Sequence, residues 1–330
     1  MTVAVDLPLD DYSGRPAALR ALLLTETGGE YPRFVASLDA RYNRVWRDIG
    51  LAYAALLASA WLIQLPELAA LRVAAILPGA VAIGAALAFL QLFLHEAAHY
   101  NLAADRRWND WLCDALISWQ VASSIDGYRA VHFAHHRYLG TTRDTERSYF
   151  TALTPGFLLA MLTGLHAVRV LLARDQAGPV AAPLAKPGGN PGPVLRGLAM
   201  HLVVVALLFR SAGWEAALAW VLGVAVVYPV FATLRQVAEH RSVRADPACD
   251  YSREDQGAVT RLFGAGWLAT IVGGAGFNRH LLHHWEPQVS CTRLAELERY
   301  LGTTSVAPLL AARTTTYGAA LAAIWRHDNR

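Results

Sequence analysis

Residues 73–99 read VAAILPGAVAIGAALAFLQLFLHEAAH, an apolar run that ends in two histidines four positions apart. The uncharged part, 73–94, is close to the roughly 20 residues that an α-helix needs to cross the hydrocarbon core of a bilayer. On a helix, His95 and His99 lie on one face, where both imidazoles can bind one metal ion. This stretch therefore predicts a membrane-spanning helix with metal ligands on its last turn.

The composition of the whole chain agrees with a membrane protein. Of 330 residues, 55% are hydrophobic and only 17% are charged, which is outside the range of ordinary soluble proteins. The net charge of +3 arises from basic residues scattered among acidic ones, so we expect no nucleic-acid partner. The three cysteines form no C-x-x-C pair and are too few for a disulfide framework, which fits a reducing location facing the cytoplasm.

Four apolar runs, at 49–65, 73–94, 194–209 and 216–234, are the candidate membrane spans, and short links join them in pairs. We predict an all-α integral membrane protein with two transmembrane helical hairpins, four spans in total, and a cytosolic histidine-rich helical cap. Arg41, Arg44 and Arg47 precede the first span and favour a cytoplasmic N-terminus, which lacks the pattern of a signal peptide. The predicted organisation is a cytosolic leader at 1–45, a membrane domain at 46–300 and a cytosolic tail at 301–330.

Three further stretches predict segments that lie at the membrane surface without crossing it. The runs 154–168 and 262–277 are apolar but rich in glycine or contain proline, so we expect interfacial or buried segments. Between residues 105 and 119, apolar residues recur at helical spacing and include Trp108 and Trp111. This pattern predicts an amphipathic helix whose indoles suit the headgroup layer, or an ordinary packed surface helix.

Eight of the twelve histidines form three clusters, HEAAH, HFAHH and HLLHH, which is too regular for chance. The clusters contain His95, His99, His132, His135, His136, His280, His283 and His284. Adjacent residues on a helix point about 100° apart, so the doublets His135–His136 and His283–His284 can each serve two metal ions. Imidazole binds iron, zinc or copper, but eight imidazoles exceed the four ligands of a structural zinc site. Two redox-active iron ions fit best, and His240, just beyond the fourth span, is a candidate ninth ligand.

This order of histidine boxes between two membrane hairpins resembles the membrane fatty acid desaturase and hydroxylase family over roughly residues 45 to 300. Flanking residues also resemble that family; they are Arg129, Asp144, Glu239, Asn278 and Pro287. The resemblance implies two irons at the cytosolic face, with the nine histidines as ligands, a substrate tunnel, and O2 with two external electrons per turnover. Because Glu96 stands where many lipid desaturases have Asp, hydroxylation and ketone formation stay open beside desaturation, which we place first.

The resemblance also assigns roles to residues around the histidines. We expect Glu96, Asp144 and Glu239 to accept hydrogen bonds from imidazole N–H groups, which orients the ligands and raises their basicity. The chain has no flavin, haem or iron–sulfur signature, so electrons must come from a ferredoxin or cytochrome-type donor with its reductase. Four arginines are candidates for the docking surface: Arg137, Arg143, Arg147 and Arg174. The expected substrate is a fatty acyl lipid, an acyl-carrier thioester, a carotenoid end group or another apolar aliphatic molecule, and the expected location is a bacterial-type inner membrane.

Two other classes of protein fit part of the pattern. HEAAH matches the H-E-x-x-H motif of zinc proteases, some of which lie in membranes, but that class leaves six clustered histidines unexplained. A metal or proton transporter would also carry ionisable groups near membrane spans, although usually at mid-membrane on broken helices. The single histidines His166 and His201 fit structural hydrogen-bonded groups, and His327 a solvated one.

Overall fold

The computed structural model describes residues 16–65, 67–141, 143–166, 168–169, 191–241 and 260–330. Within these ranges the protein is mainly helical, and an isolated β-bridge pairs Leu262 with Thr314. Arg174, a candidate docking residue, lies outside the described residues, and the side chain of Arg147 is not described either.

Fourteen α-helices have both ends in the described part of the chain, in which residues 165–166 and 168–169 are helical as well. They are α1 (Pro16–Thr27), α2 (Glu30–Ala36), α3 (Tyr42–Leu62), α4 (Ala69–Ala98), α5 (Arg106–Leu116), α6 (Ile125–Tyr138), α7 (Pro155–Leu162), α8 (Gly192–Leu222), α9 (Tyr228–His240), α10 (Trp267–Gly273), α11 (His280–Trp285), α12 (Leu294–Leu301), α13 (Ala307–Ala312) and α14 (Tyr317–Asp328). A π-helical turn, Gly223–Val227, joins α8 to α9.

Two helical segments are long and apolar enough to cross a membrane: α4 and the continuous segment Gly192–His240. The predicted span 73–94 lies within α4, and the predicted spans 194–209 and 216–234 both lie within the second segment. The remaining predicted span, 49–65, falls on α3, which has 21 residues and ends at Leu62. The all-helical prediction is therefore confirmed for the described residues, together with apolar helices at the predicted places.

The second long segment reverses direction at Gly213. The φ angle there is +83°, a conformation that glycine adopts more readily than other residues. The indole N–H of Trp220, in the second arm, donates a hydrogen bond of 3.3 Å to Nδ1 of His201 in the first arm. In a straight helix, residues nineteen positions apart would lie about 28 Å from each other. The two arms are therefore antiparallel neighbours.

Helices α3 and α4 are also antiparallel. The turn that joins α3 to α4 and the turn at Gly213 lie on the same side of the protein. The indole N–H of Trp46, near the start of α3, donates to the carbonyl of Leu102, just beyond the end of α4, over 3.0 Å. At the opposite ends, Arg72 forms an ion pair with Glu215 at 3.3 Å. The chain reversals thus meet at one end of the helices, and the histidine boxes lie at the other.

The stretches predicted to lie at the membrane surface form short helices. Helix α7 has 8 residues and α10 has 7, so at 1.5 Å per residue they are about 12 and 10 Å long and cannot cross a core of about 30 Å. Helix α10 exposes Trp267, Leu268 and Ile271, and α5 exposes Trp108 and Trp111. These apolar faces agree with the interfacial interpretation.

The first two helices and the last helix contact the body of the protein. Arg20 of α1 donates two hydrogen bonds of 2.9 Å to Glu286 beyond the third histidine box, and Tyr31 of α2 donates a third, also 2.9 Å. At the other end of the chain, Arg241 and Asp328 form a buried ion pair at 2.6 Å. Helices α1, α2 and α14 pack on the centre because their apolar faces need a partner, and that partner is distant in the sequence.

Candidate metal centre

Four helices bring the nine predicted histidine ligands together. The last turn of α4 carries His95, α6 carries the HFAHH box, α9 ends at His240, and α11 carries the HLLHH box. The histidines form two groups. The first group is His95, His99, His132, His136 and His283, whose ligand nitrogens all lie within 4.8 Å of one another. The second group is His135, His240, His280 and His284.

In the first group, the Nε2 atoms of neighbouring imidazoles point towards a common centre. His132 Nε2 lies 2.9 Å from His99 Nε2 and 3.0 Å from His136 Nε2. His136 Nε2 lies 3.0 Å from His283 Nε2. These three contacts link His99, directly after α4, to residues of α6 and α11.

The second group has the same arrangement around His240. Its Nε2 atom lies 3.2 Å from that of His135, 2.8 Å from that of His280 and 3.2 Å from that of His284. All four side chains are buried. The single histidine at the end of α9 is therefore central to this group.

The donor atoms of both groups fit metal ions. Metal–nitrogen bonds of about 2.1 Å at right angles would place neighbouring nitrogens about 3.0 Å apart. Both ring nitrogens of His95 and Nδ1 of His283 are buried without a hydrogen-bond partner among the described residues. A buried polar nitrogen without a partner is costly, and coordination of a metal by one ring nitrogen of His95 would remove that cost for this atom.

The members of each histidine doublet belong to different groups. His136 and His283 are in the first group, whereas His135 and His284 are in the second. This division follows from helix geometry, because adjacent side chains leave the helix about 100° apart. Helices α6 and α11 each contribute to both groups in this way.

Burial keeps most of these imidazoles neutral. The pKa values of His136, His283 and His284 lie well below the ordinary value, first because burial disfavours the charged form and then because other histidines surround them. His135 differs: despite its burial, Glu146 and Asp144 beside it raise its pKa. Neutral imidazole is the form that binds metal, so three of these four side chains are already in the binding state.

Asp144 lies next to His135, as its predicted role requires. One carboxylate oxygen is 2.9 Å from Nδ1 of His135, and the other accepts a hydrogen bond of 2.6 Å from the hydroxyl of Tyr149. Both Asp144 and His135 are buried. The contact with Asp144 holds the imidazole of His135 so that its Nε2 atom points at the other histidines of the second group.

The other two predicted carboxylates have less direct contacts. Oε2 of Glu239 lies 3.7 Å from Nδ1 of His280, beyond hydrogen-bonding distance. Glu96 accepts hydrogen bonds from the hydroxyl of Ser290, at 2.9 Å, and from the backbone N–H of Cys291, at 3.0 Å. Its hydrogen-bond partners in the described part of the chain include no histidine, because Glu96 leaves α4 about 100° away from the histidine face. Glu96 instead joins the end of α4 to the loop after α11.

Glu146 is a neighbour of the centre that the sequence reasoning missed. Its Oε1 lies 3.4 Å from Nδ1 of His132. Although burial disfavours its charged form, His135 and His132 lower the pKa of Glu146, so it is ionised at neutral pH. The available signal was its position two residues after Asp144, in the same polar stretch that follows the second box.

A cavity of about 220 Å³ opens beside both histidine groups. Its wall includes Gln91, His95, Tyr128, His132, His135, Glu146, Ser148, Phe157, His166, Ala232, Thr233, Arg235, Gln236, Glu239, His240 and His280. His166, interpreted from sequence as a structural histidine, therefore lies in this wall. His201 is a structural histidine as predicted: its Nε2 lies 3.1 Å from the carbonyl of Gln120.

Comparison with protein families agrees with this arrangement. A family model described as fatty acid desaturase matches residues 71–315, which include all nine histidines. Comparison with curated proteins and with solved structures gives no significant match.

Proposed function

The chain belongs to the fatty acid desaturase family, and on that premise we propose that it is an O2-dependent membrane di-iron oxidoreductase that desaturates a fatty acyl or similar aliphatic substrate. The observation that carries this proposal is the division of nine histidines into a group of five and a group of four, with the two members of each doublet in different groups. One metal ion needs only one such group, so this division supports a pair of ions.

The nine histidines would hold two irons, which would supply the activation of O2 and the removal of hydrogen from an unactivated C–H bond. Asp144 orients His135, and the ionised Glu146 lies beside His132. Carboxylates in these positions fix which nitrogen of each ring faces the metal and increase its basicity. The adjacent cavity, which contacts ligands of both groups, would receive the substrate.

We propose four membrane crossings, formed by α3, α4 and the two arms of Gly192–His240. At 21 residues, α3 is about 31 Å long, which matches a bilayer core of about 30 Å. The arginines at 41, 44 and 47 lie at the same end of the helices as the histidines, which favours a cytoplasmic position of the metal centre by the positive-inside rule. The proposed location is a bacterial-type inner membrane.

We propose that a ferredoxin or cytochrome-type electron donor docks on α6. His99 and His136 are the only partly exposed members of the two histidine groups, whose other members are buried. Phe133 is 42% exposed, and its ring centroid lies 5.4 Å from that of His99. Arg137 is exposed one turn further along. An acidic electron-donor protein that docks here would contact Phe133, whose ring lies beside His99 of the metal centre.

Hydroxylation and ketone formation would use the same centre, so they remain the alternatives within this class. The structure disfavours a zinc protease, because Glu96, the base of the H-E-x-x-H motif, is held by Ser290 and Cys291. A metal or proton transporter is disfavoured because the histidines cluster where α4 and α9 end rather than at the middle of the helices.

Reconstitution tests the proposal. Purified protein loaded with iron in phospholipid nanodiscs would receive a lipid extract, O2 and a chemical reductant, and products would be identified by mass spectrometry. We expect about two irons per chain and a lipid that has lost two hydrogens; a gain of one oxygen would identify a hydroxylase. A single bound zinc with peptide cleavage would overturn the proposal.

A further inference from the structure

The chain turns sharply directly after His99, in a conformation that glycine usually adopts. The backbone N–H of Tyr100 donates to the carbonyl of Ala97, and that of Asn101 donates to the carbonyl of Glu96, each over 3.0 Å. This pair of hydrogen bonds is a common helix ending, in which the residue at the position of Tyr100 is left-handed and most often glycine. Tyr100 has a φ angle of +62°. A tyrosine is strained in this conformation, so other contacts must hold it beside His99.

Two arginines contact the ring of Tyr100. The guanidinium carbon of Arg129 lies over the ring, 4.1 Å from its centroid, and that of Arg106 lies 4.5 Å from the same centroid. A cation over the face of an aromatic ring is attracted to the negative charge of that face. The two contacts offset the strain of the backbone, and they require a ring that glycine would not provide.

Arg129, on α6, also binds the last turn of α4. Its Nε donates to the carbonyl of Ala98 over 3.1 Å, and its Nη2 donates to the carbonyl of Ala97 over 3.2 Å. The same guanidinium donates to both carboxylate oxygens of Asp110 on α5. The side chain of Arg129 is only 11% exposed. Because the N–H groups of a guanidinium lie in one rigid plane, this side chain fixes how the end of α4 lies against α6.

These contacts lie directly beside the first histidine group. Tyr100 follows His99 in the chain, and Arg129 is three residues before His132, so the side chains of Arg129 and His132 leave the same face of α6. Nε2 of His99 lies 2.9 Å from Nε2 of His132. The second group takes no histidine from the end of α4, so a shift between α4 and α6 would distort the first group more. Four of the five histidines of the first group come from these two places: His95, His99, His132 and His136.

We propose that Arg129 and Tyr100 are positioning residues of the first metal site, which hold the end of α4 against α6 so that His99 and His132 keep the spacing that one ion requires. The inference rests on the proposed function, because it takes the first histidine group as the site of an iron ion. Neither residue would touch the ion or the substrate. Loss of their contacts should therefore weaken the hold on one ion and leave the other ion unaffected.

The test measures how fast ferrous iron passes to a chelator from protein in nanodiscs, in two variants that each keep one ion. His284→Ala should retain the ion of the first group, and His136→Ala that of the second. In the His284→Ala protein, Arg129→Gln should release iron about tenfold faster, since residues that orient ligands change metal affinity by at least this factor. Arg129→Lys keeps the charge but not the rigid plane, so its release rate should lie between these two values. In the His136→Ala protein, Arg129→Gln should not change the rate.

Arg106→Gln is the matched control. Arg106 contacts the same ring, but it is exposed and belongs to α5, which carries no histidine of either group. Its loss should change the release of iron from the His284→Ala protein less than about twofold.

Tyr100→Gly separates positioning from stability. It relieves the strained backbone while it removes the ring, so the metal-free protein should unfold within about 3 °C of the wild type. Iron should nevertheless leave the His284→Ala protein about threefold faster, a smaller factor than for Arg129→Gln because the carbonyl contacts of Arg129 remain. If Arg129→Gln does not fold, Arg129→Lys and Tyr100→Gly make the same comparison.

Two outcomes would overturn the inference. One is an unchanged rate of iron release when the Arg129 or Tyr100 variants are made in the His284→Ala protein. The other is equal acceleration in both single-ion proteins, which would indicate a general loss of structure. The proposed function is judged separately, by the iron content of the wild type. Fewer than two irons there would count against the proposed function, whereas two irons with either of these outcomes would count against the positioning role alone.

Discussion

The hydroxyl of Tyr317 donates a hydrogen bond of 3.1 Å to Oε1 of Glu239. Glu239 in turn lies 3.7 Å from His280 of the second histidine group. Tyr317 is on the last helix, in the region that the sequence predicts to be a tail. The hydrogen bond therefore makes the C-terminal helix part of the support of the metal centre.

Loss of the Tyr317 hydroxyl should weaken the hold on the metal. Tyr317→Phe leaves one oxygen of a buried carboxylate with fewer partners, so we expect the free energy of unfolding to fall by about 1–2 kcal/mol. Iron should also leave faster in the presence of a chelator, which a ferrous-chelator absorbance assay would measure. Tyr42→Phe, at the start of α3, is the control. Equal rates of iron loss in wild type and Tyr317→Phe would contradict this support.

Single histidine substitutions should remove iron from one group at a time. His136→Ala removes a donor from the group of five, and His284→Ala removes one from the group of four. Because each ion has its own group, each variant should lose about one iron per chain while the other ion stays bound. Elemental analysis would measure this against His327→Ala, whose side chain is 53% exposed. Full occupancy in both variants would show that these residues are not ligands.

The metal-free protein should lose stability as the pH falls. Burial lowers the pKa of His136, His283 and His284 below the ordinary value of 6.5. Below about pH 6.5 the unfolded chain therefore binds protons that the folded chain does not, which favours unfolding. The pKa of His135 is raised, so this residue has the opposite effect on stability, but it is one histidine against three. The unfolding midpoint of apoprotein, followed from about pH 8 to pH 5, should decrease, and a constant midpoint would be inconsistent with neutral buried imidazoles.

A charge reversal on α6 should slow electron delivery by a protein donor. Arg137→Glu places a negative charge beside the exposed Phe133, so reduction by an acidic ferredoxin at low ionic strength should slow about tenfold. Reduction by dithionite should not change, because that reductant needs no docking surface. Stopped-flow absorbance would measure both rates, with Arg326→Glu on α14 as the control. Equal slowing with both reductants would place the defect at the centre rather than at the surface.

The features that the sequence predicted correctly are those that depend on residues close together along the chain. The length of the apolar run 73–94 predicted a long helix. The spacing of four residues between the histidines of HEAAH placed His95 and His99 on one helix face. The doublets predicted side chains that diverge, since adjacent residues on any helix point in different directions. These properties follow from the period of the helix, which is local.

Only the tertiary structure decided which residues meet across the chain. It placed His240 at the centre of the second group, Glu146 beside His132, and Tyr317 on Glu239. It also directed Glu96 to Ser290 rather than to an imidazole. The sequence does not specify these contacts because each depends on how several apolar helices pack together, and a small rotation or shift of one helix would exchange the partners of its side chains.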